Sequence, residues 1–217
     1  MSPTFKKVIV VIASAFLLFA MVYGSYLPFR KSSMFIDSIQ NAGQAHTLQE
    51  YIDITAKPLD AVSPIGQEEL VRNVAGTVMG IVGSNGAKNP AIIPPLLSFL
   101  DAYYAPILER GSGMSFDQNL YVLGASNEAA YTTLHDPKYL IAAQGYFEHG
   151  LLNSPKRPQF VYGLFDVYRM EGNLEKTREM YNLIMTYWPG DTRVKPVLDE
   201  FLKKYAEFSK NASSSKK

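Results

Sequence analysis

The feature that most constrains this chain is the run "VIVVIASAFLLFAMVYGSYLPF", residues 8–29, twenty-two residues without one charged side chain. At about 1.5 Å per residue in a helix, such a run covers the roughly 30 Å hydrocarbon core of a bilayer. It is apolar on every face, with Lys6 and Lys7 before it and Arg30 and Lys31 after it, which separates it from a core helix with one buried stripe. The reading is an uncleaved anchor over residues 1–29. The competing reading is a secretory signal cleaved after Val22 and Gly24, against which the run is long and continues through Tyr26, Leu27 and Phe29. Two basic residues on each side leave orientation to the free amino group, which favours an inside N-terminus and an extracytoplasmic remainder.

Composition constrains the chain beyond the anchor. Of 217 residues 47% are hydrophobic and 19% charged, and the formal net charge is +1, so there is no polycation for nucleic acid. Cysteine is absent, which removes disulfides, thiol chemistry and thiolate metal sites. From residue 30 the apolar positions recur at helical spacing and strand-like alternation is missing, so the expected class is all-α. A short helix is expected in "SSMFIDSIQNAG", ending at Gly43. The next begins at Thr47, with Glu50 completing a capping box and Pro58 kinking or shortening it. Another starts with Ser63 as cap and Pro64 in its first turn, and ends in the glycine-rich turn "GSNGAKNP". A helix follows from Pro94 and Pro95, bent or divided at Pro106. Residues 30–115 form this helical region, 116–208 a series of paired helices, and 209–217 a polar tail expected to be disordered.

Within residues 120–206 the chain echoes itself. Pro155 and Pro189 stand 34 residues apart, and at the same offset lie Phe147 with Tyr181, Ala143 with Thr177 and Leu140 with Leu174. The second unit reads Val161, Leu164, Phe165, Tyr168, Gly172, Leu174, Thr177, Tyr181, Ile184 and Pro189. The first contains Ala130, Tyr131, Leu134, Leu140, Ala143, Phe147 and Pro155. This resembles the tetratricopeptide repeat, with Phe165 and Thr177 standing where that pattern has small residues. "DTRVKPVLDEFLKKY" then corresponds to the closing helix such stacks need. The resemblance implies antiparallel helix pairs stacked as a short α-solenoid, with a protein or peptide partner on the face made by the first helix of each pair. It places Gln159, Tyr162, Asp166 and Arg169 there, with Glu128 and Thr132 from the preceding unit and Arg193 and Glu200 from the closing helix. Gln159 and Asp166 do not supply the Lys and Asn of the carboxylate-clamp version. An anchor leading into such repeats also resembles the soluble tail of bacterial O-antigen ligase-like membrane proteins. That implies an inner-membrane location and, as an alternative function, an accessory role in a cell-envelope glycan system.

No residue set points to catalysis. His46, His135 and His149 lack metal-ligand spacing, no nucleophile elbow accompanies "HDPK", and Glu68 and Glu69 are adjacent, so they diverge by about 100° on a helix. The expectation is a membrane-anchored, non-catalytic interaction module without a cofactor, which contacts the bilayer through residues 8–29, a protein partner, and no nucleic acid.

Overall fold

The computed structural model describes residues 3–214. Their regular structure is all helical, with no strand among them. The chain divides into two compact units, one built from residues up to Ala75 together with Pro94–Met114, the other from Gly76–Ile93 together with residues from Ser115 onward.

The first unit opens with α1 (Pro3–Met21), a π-helical turn (Val22–Tyr26) and α2 (Leu27–Ala42). These run on as one helix of 40 residues, Pro3–Ala42, long and apolar enough to cross a membrane. None of α1 is buried. The apolar run and the short helix of the sequence reading are therefore continuous. Leu27 donates its backbone N–H to Val22 O across the wider turn around Gly24, so the helix passes the glycine and Pro28 unbroken; Pro28 falls where α2 starts, at a position that needs no ordinary helical donor.

α2 packs on α3 (Leu48–Asp60). Half of the capping box forms: Thr47 Oγ1 accepts from Glu50 N at 3.1 Å, while Glu50 Oε2 reaches one residue past the N-cap and accepts from the backbone N–H of His46 at 2.8 Å. Pro58 lies inside α3, which ends two residues later. The α3 end is held by Lys31 of α2, 3% exposed, whose ammonium donates to Ala61 O at 2.7 Å and to Gln67 Oε1.

α4 (Gln67–Asn85) begins three residues after Pro64, so Ser63 and Pro64 do not start it. Gly66 has φ +89°, a left-handed conformation that a helical residue cannot hold, and the Ser63 hydroxyl instead donates to Ile65 O within the loop at 2.8 Å. At its other end α4 runs through Gly83 and Ser84, which the sequence reading gave to the turn. α5 (Ile93–Arg110) follows a 3-10 turn (Pro90–Ile92) and continues past Pro106 undivided. Leu96, Leu97, Leu100, Tyr104 and Ile107 are buried along one of its faces. The segment Pro90–Arg110 also has the length and apolarity of a membrane span, but that buried stripe is the mark of a core helix. In the first unit Arg110 pairs with Glu68 at 3.0 Å and Tyr103 donates to Asp60 at 2.7 Å.

The second unit is carried by α6 (Phe116–Leu134), α7 (Pro137–Asn153), α8 (Pro158–Met170), α9 (Leu174–Tyr187) and α10 (Val194–Ser214). α6 packs on α7, α7 on α8, α8 on α9 and α9 on α10, and α6 also meets α8. His135, at φ 54°, ends α6 by sending its N–H to Tyr131 O at 2.8 Å, and Asp136 Oδ1 caps α7 by accepting from Lys138 N at 3.1 Å. Gly172, at φ 74°, ends α8 in a Schellman turn: Asn173 N–H reaches Tyr168 O at 2.9 Å, and Asn173 then caps α9. Phe147 of α7 is fully buried between two glycines: a β-carbon on Gly163 of α8 would meet its ring at 2.7 Å, and one on Gly124 of α6 would overlap it. Glu148 stitches three helices together, accepting from Tyr168 of α8 at 2.8 Å and pairing with Lys176 of α9 at 4.0 Å.

α10 extends to Ser214. Residues 209–214 are thus helical where the sequence reading has a disordered tail, and 215–217 lie outside the described residues. Arg193 precedes α10 and belongs to the turn before it.

Candidate partner-binding site

Four of the eight expected residues lie on α8, and Tyr162, Asp166 and Arg169 follow Gln159 at intervals of about one turn. Two clusters form around them. In the first, Asp166 Oδ1 accepts from Arg169 Nη2 at 2.8 Å. Glu128, on the neighbouring helix α6, lies within the field of both. Burial pushes the Glu128 carboxyl up to about 7, the Asp166 charge adds to that, and the Arg169 charge opposes it. Glu200 of α10 also feels Arg169, and the nearer Lys204, 2.6 Å away, is the main cause holding its pKa below the usual carboxylate range. Charges from α6, α8 and α10 therefore converge, and near neutral pH Glu128 is the member whose charge is undecided.

The second cluster surrounds Tyr162. Its phenol donates to Asp191, whose carboxylate also accepts from Arg193 Nη2 at 2.6 Å and Arg193 Nε at 3.1 Å. The Arg193 guanidinium lies 5.7 Å from the Tyr162 ring centre, and the Trp188 ring 5.6 Å from it on a tilted plane. Donation from Arg193 and Tyr162 holds Asp191 well below the usual carboxylate range, and burial followed by the Asp191 contact raises the Tyr162 phenol. Tyr162, Trp188, Asp191 and Arg193 line a shallow depression of about 410 Å³.

The remaining two expected residues join neither cluster. Gln159 is exposed in the first turn of α8, and Thr132 is exposed on α6 with its hydroxyl donating to Glu128 O at 3.0 Å. Sequence reasoning missed Asp191 and Trp188. The signal for Asp191 was its place after "WPG", a turn closed by Asp191 N–H to Trp188 O at 3.0 Å, where an acid can reach back to the start of the preceding helix pair.

A larger groove of about 790 Å³ lies between the end of α8 and α10, lined by Arg169, Glu200, Phe201, Lys204, Tyr205 and Phe208 among others. It joins the first cluster to the aromatic side of α10. Among the described residues no group of three His, Asp or Glu side chains is placed to hold a metal ion. No protein-family model matches the chain, and no curated protein or solved structure matches it.

Proposed function

We propose that the chain is a membrane-anchored interaction module of tetratricopeptide type, which docks a protein or peptide on the face shared by α6, α8 and α10 and has no catalysis of its own. The observation that carries this reading is a repeated cap. Ser154 (φ −137°, ψ 75°) and Trp188 (φ −133°, ψ 70°), 34 residues apart, each end a helix by donating N–H to the carbonyl four residues back, at 2.9 Å and 2.7 Å. Each precedes a proline, which restricts it to such an extended conformation. Buried Ala143 and Thr177, then buried Gly150 and Ile184, repeat at the same offset. Two helix pairs with one spacing and one exit geometry are what a stacked repeat supplies, and the first helices of such pairs form a common face. On that face the Asp166 and Arg169 pair, Glu128 and Tyr162, with Arg193 from the turn before α10, give mixed charge with an aromatic anchor, a composition suited to peptide recognition.

The long apolar helix Pro3–Ala42 supports anchoring in a membrane; that this is an inner membrane, with the remainder outside the cytoplasm, is part of the proposal. The test is a photo-crosslinking side chain placed in the intact, membrane-resident chain at Thr132, Asp166 or Gln159, and for comparison at Ile141 or Glu179 on α7 and α9. A discrete protein adduct from the α6 and α8 positions alone supports the reading. Equal crosslinking from both sets, or none from either, refutes it.

A further inference from the structure

Helix α10, 21 residues long, is the longest helix of the second unit among the described residues. Val194 and Leu198 are buried and seat its first half, while every residue from Lys203 to Asn211 is exposed. The apolar stripe does not stop where the cover stops. Val194, Val197, Leu198, Phe201, Tyr205 and Phe208 fall within about 100° of one another around the helix axis. Phe208 is 74% exposed and Tyr205 38%. Behind the aromatics the charge is one-sided: residues 203–217 hold Lys203, Lys204, Lys210, Lys216 and Lys217 against Glu207 alone, a balance of 5 − 1 = +4. Since the whole chain has +1, the remainder is 1 − 4 = −3. Positive charge is thus gathered into one terminal segment, whose helical part displays a largely exposed Phe208 ring beside a Tyr205 that also lines the grooves towards α8 and α9.

We infer that the second half of α10 is an interfacial helix, which lays Tyr205 and Phe208 into the headgroup boundary of an anionic bilayer while its lysines meet the lipid phosphates. Rings on one face and lysines on the rest are the pattern of helices that lie in the plane of a membrane surface. The acidic groups nearby do not cancel it: with Glu200, the partner of Lys204, counted as well, residues 200–217 still hold five lysines against two carboxylates, and Glu171 across the groove is accompanied by Arg169. This inference rests on the anchored reading, because a chain held at a bilayer by its first helix offers α10 to lipid at high effective concentration, so that a modest surface affinity suffices. Each lysine near an anionic surface strengthens partitioning roughly five-fold.

The absence of cysteine makes the test clean. The full chain is reconstituted into vesicles of phosphatidylcholine with or without phosphatidylglycerol, after an environment-sensitive fluorophore is attached at S209C, or in a separate sample at A15C. Bromine-substituted lipid chains then report immersion. The expected result is that the S209C label is blue-shifted and quenched by brominated lipid when phosphatidylglycerol is present, and is released by high salt. In K203Q/K210Q partitioning falls by about ten-fold or more, and F208Q, at an exposed position, abolishes quenching without unfolding the chain. If A15C is quenched while S209C emits as in water in both vesicle types, the inference fails and the anchor stands. A shifted S209C label that brominated lipid cannot quench means that protein covers the stripe, and equally overturns it. If A15C itself is not quenched, the anchored reading fails and this inference falls with it.

Discussion

Single side chains in the second unit are under unusually tight constraint. Phe147 fills the space left by Gly124 and Gly163, so the G163A variant must push the ring or the helix aside; a loss of about 1–3 kcal/mol is expected, read as a lower midpoint in thermal unfolding. Ser126 presents the opposite case. It is fully buried in α6 and its hydroxyl has no partner among the described residues, so S126A is expected to raise stability by about 1 kcal/mol in the same measurement. Glu128 gives a pH signature. Its folded pKa, about 7, exceeds the ordinary 4.5, so the folded state holds the proton more tightly than the unfolded state. Its favourable contribution is complete below the unfolded value and is lost as pH rises through about 7. E128Q should therefore flatten the stability profile across that window and be the more stable protein on its alkaline side, by about 1 kcal/mol after allowance for partial exposure. A variant whose profile matched that of the parent chain would show that Glu128 ionises freely in the fold.

At the scale of elements, what the sequence makes legible depends on how local the cause is. The Thr47 cap and its Glu50 partner are fixed by residues no more than four apart, and the cap forms where the pattern places it. T47A should accordingly cost about 1 kcal/mol, detectable as faster amide exchange in the first turn of α3. Ser63 misleads because a serine followed by proline has the composition of a helix start, whereas Gly66 beyond it takes a left-handed φ that only the folded loop reveals. Asp191 was missed for a related reason: the WPG turn before it is a local signal, but its contact with Tyr162 lies 29 residues away. The candidate site is thus half legible. Spacing on α8 reads directly as Tyr162, Asp166 and Arg169 on one face, but which of them pairs internally, and with what, depends on turns that only the fold positions. The extension of α10 was masked by its polar composition, since Ser, Lys and Asn conceal the Phe201, Tyr205 and Phe208 spacing that continues the buried stripe.

For the molecule as a whole, the apolar first helix and the 34-residue echo were both plain in the sequence, because each is a long pattern that single substitutions do not erase. The division of α4 between two compact units was not, since the helix itself shows no break at Ala75. The anchored reading predicts that the intact chain stays with membranes in alkaline carbonate. A13R/L17R, which sets two charges mid-span at about 2.5–3.5 kcal/mol each, should release it to the supernatant. Intact mass should show the apolar segment retained; a mature chain lacking it would instead establish a cleaved signal.

The π-helical turn at Val22–Tyr26 has a bearing on how this chain can be gripped. One added residue in a turn shifts the phase of everything beyond it by about 100°. The ridge that α1 offers is therefore not the ridge that α2 continues. A neighbouring helix lying along α1 would find itself facing a different flank of α2, so the two halves of this single rod must be read by separate neighbours, as a key cut on two sides is read by two sets of pins.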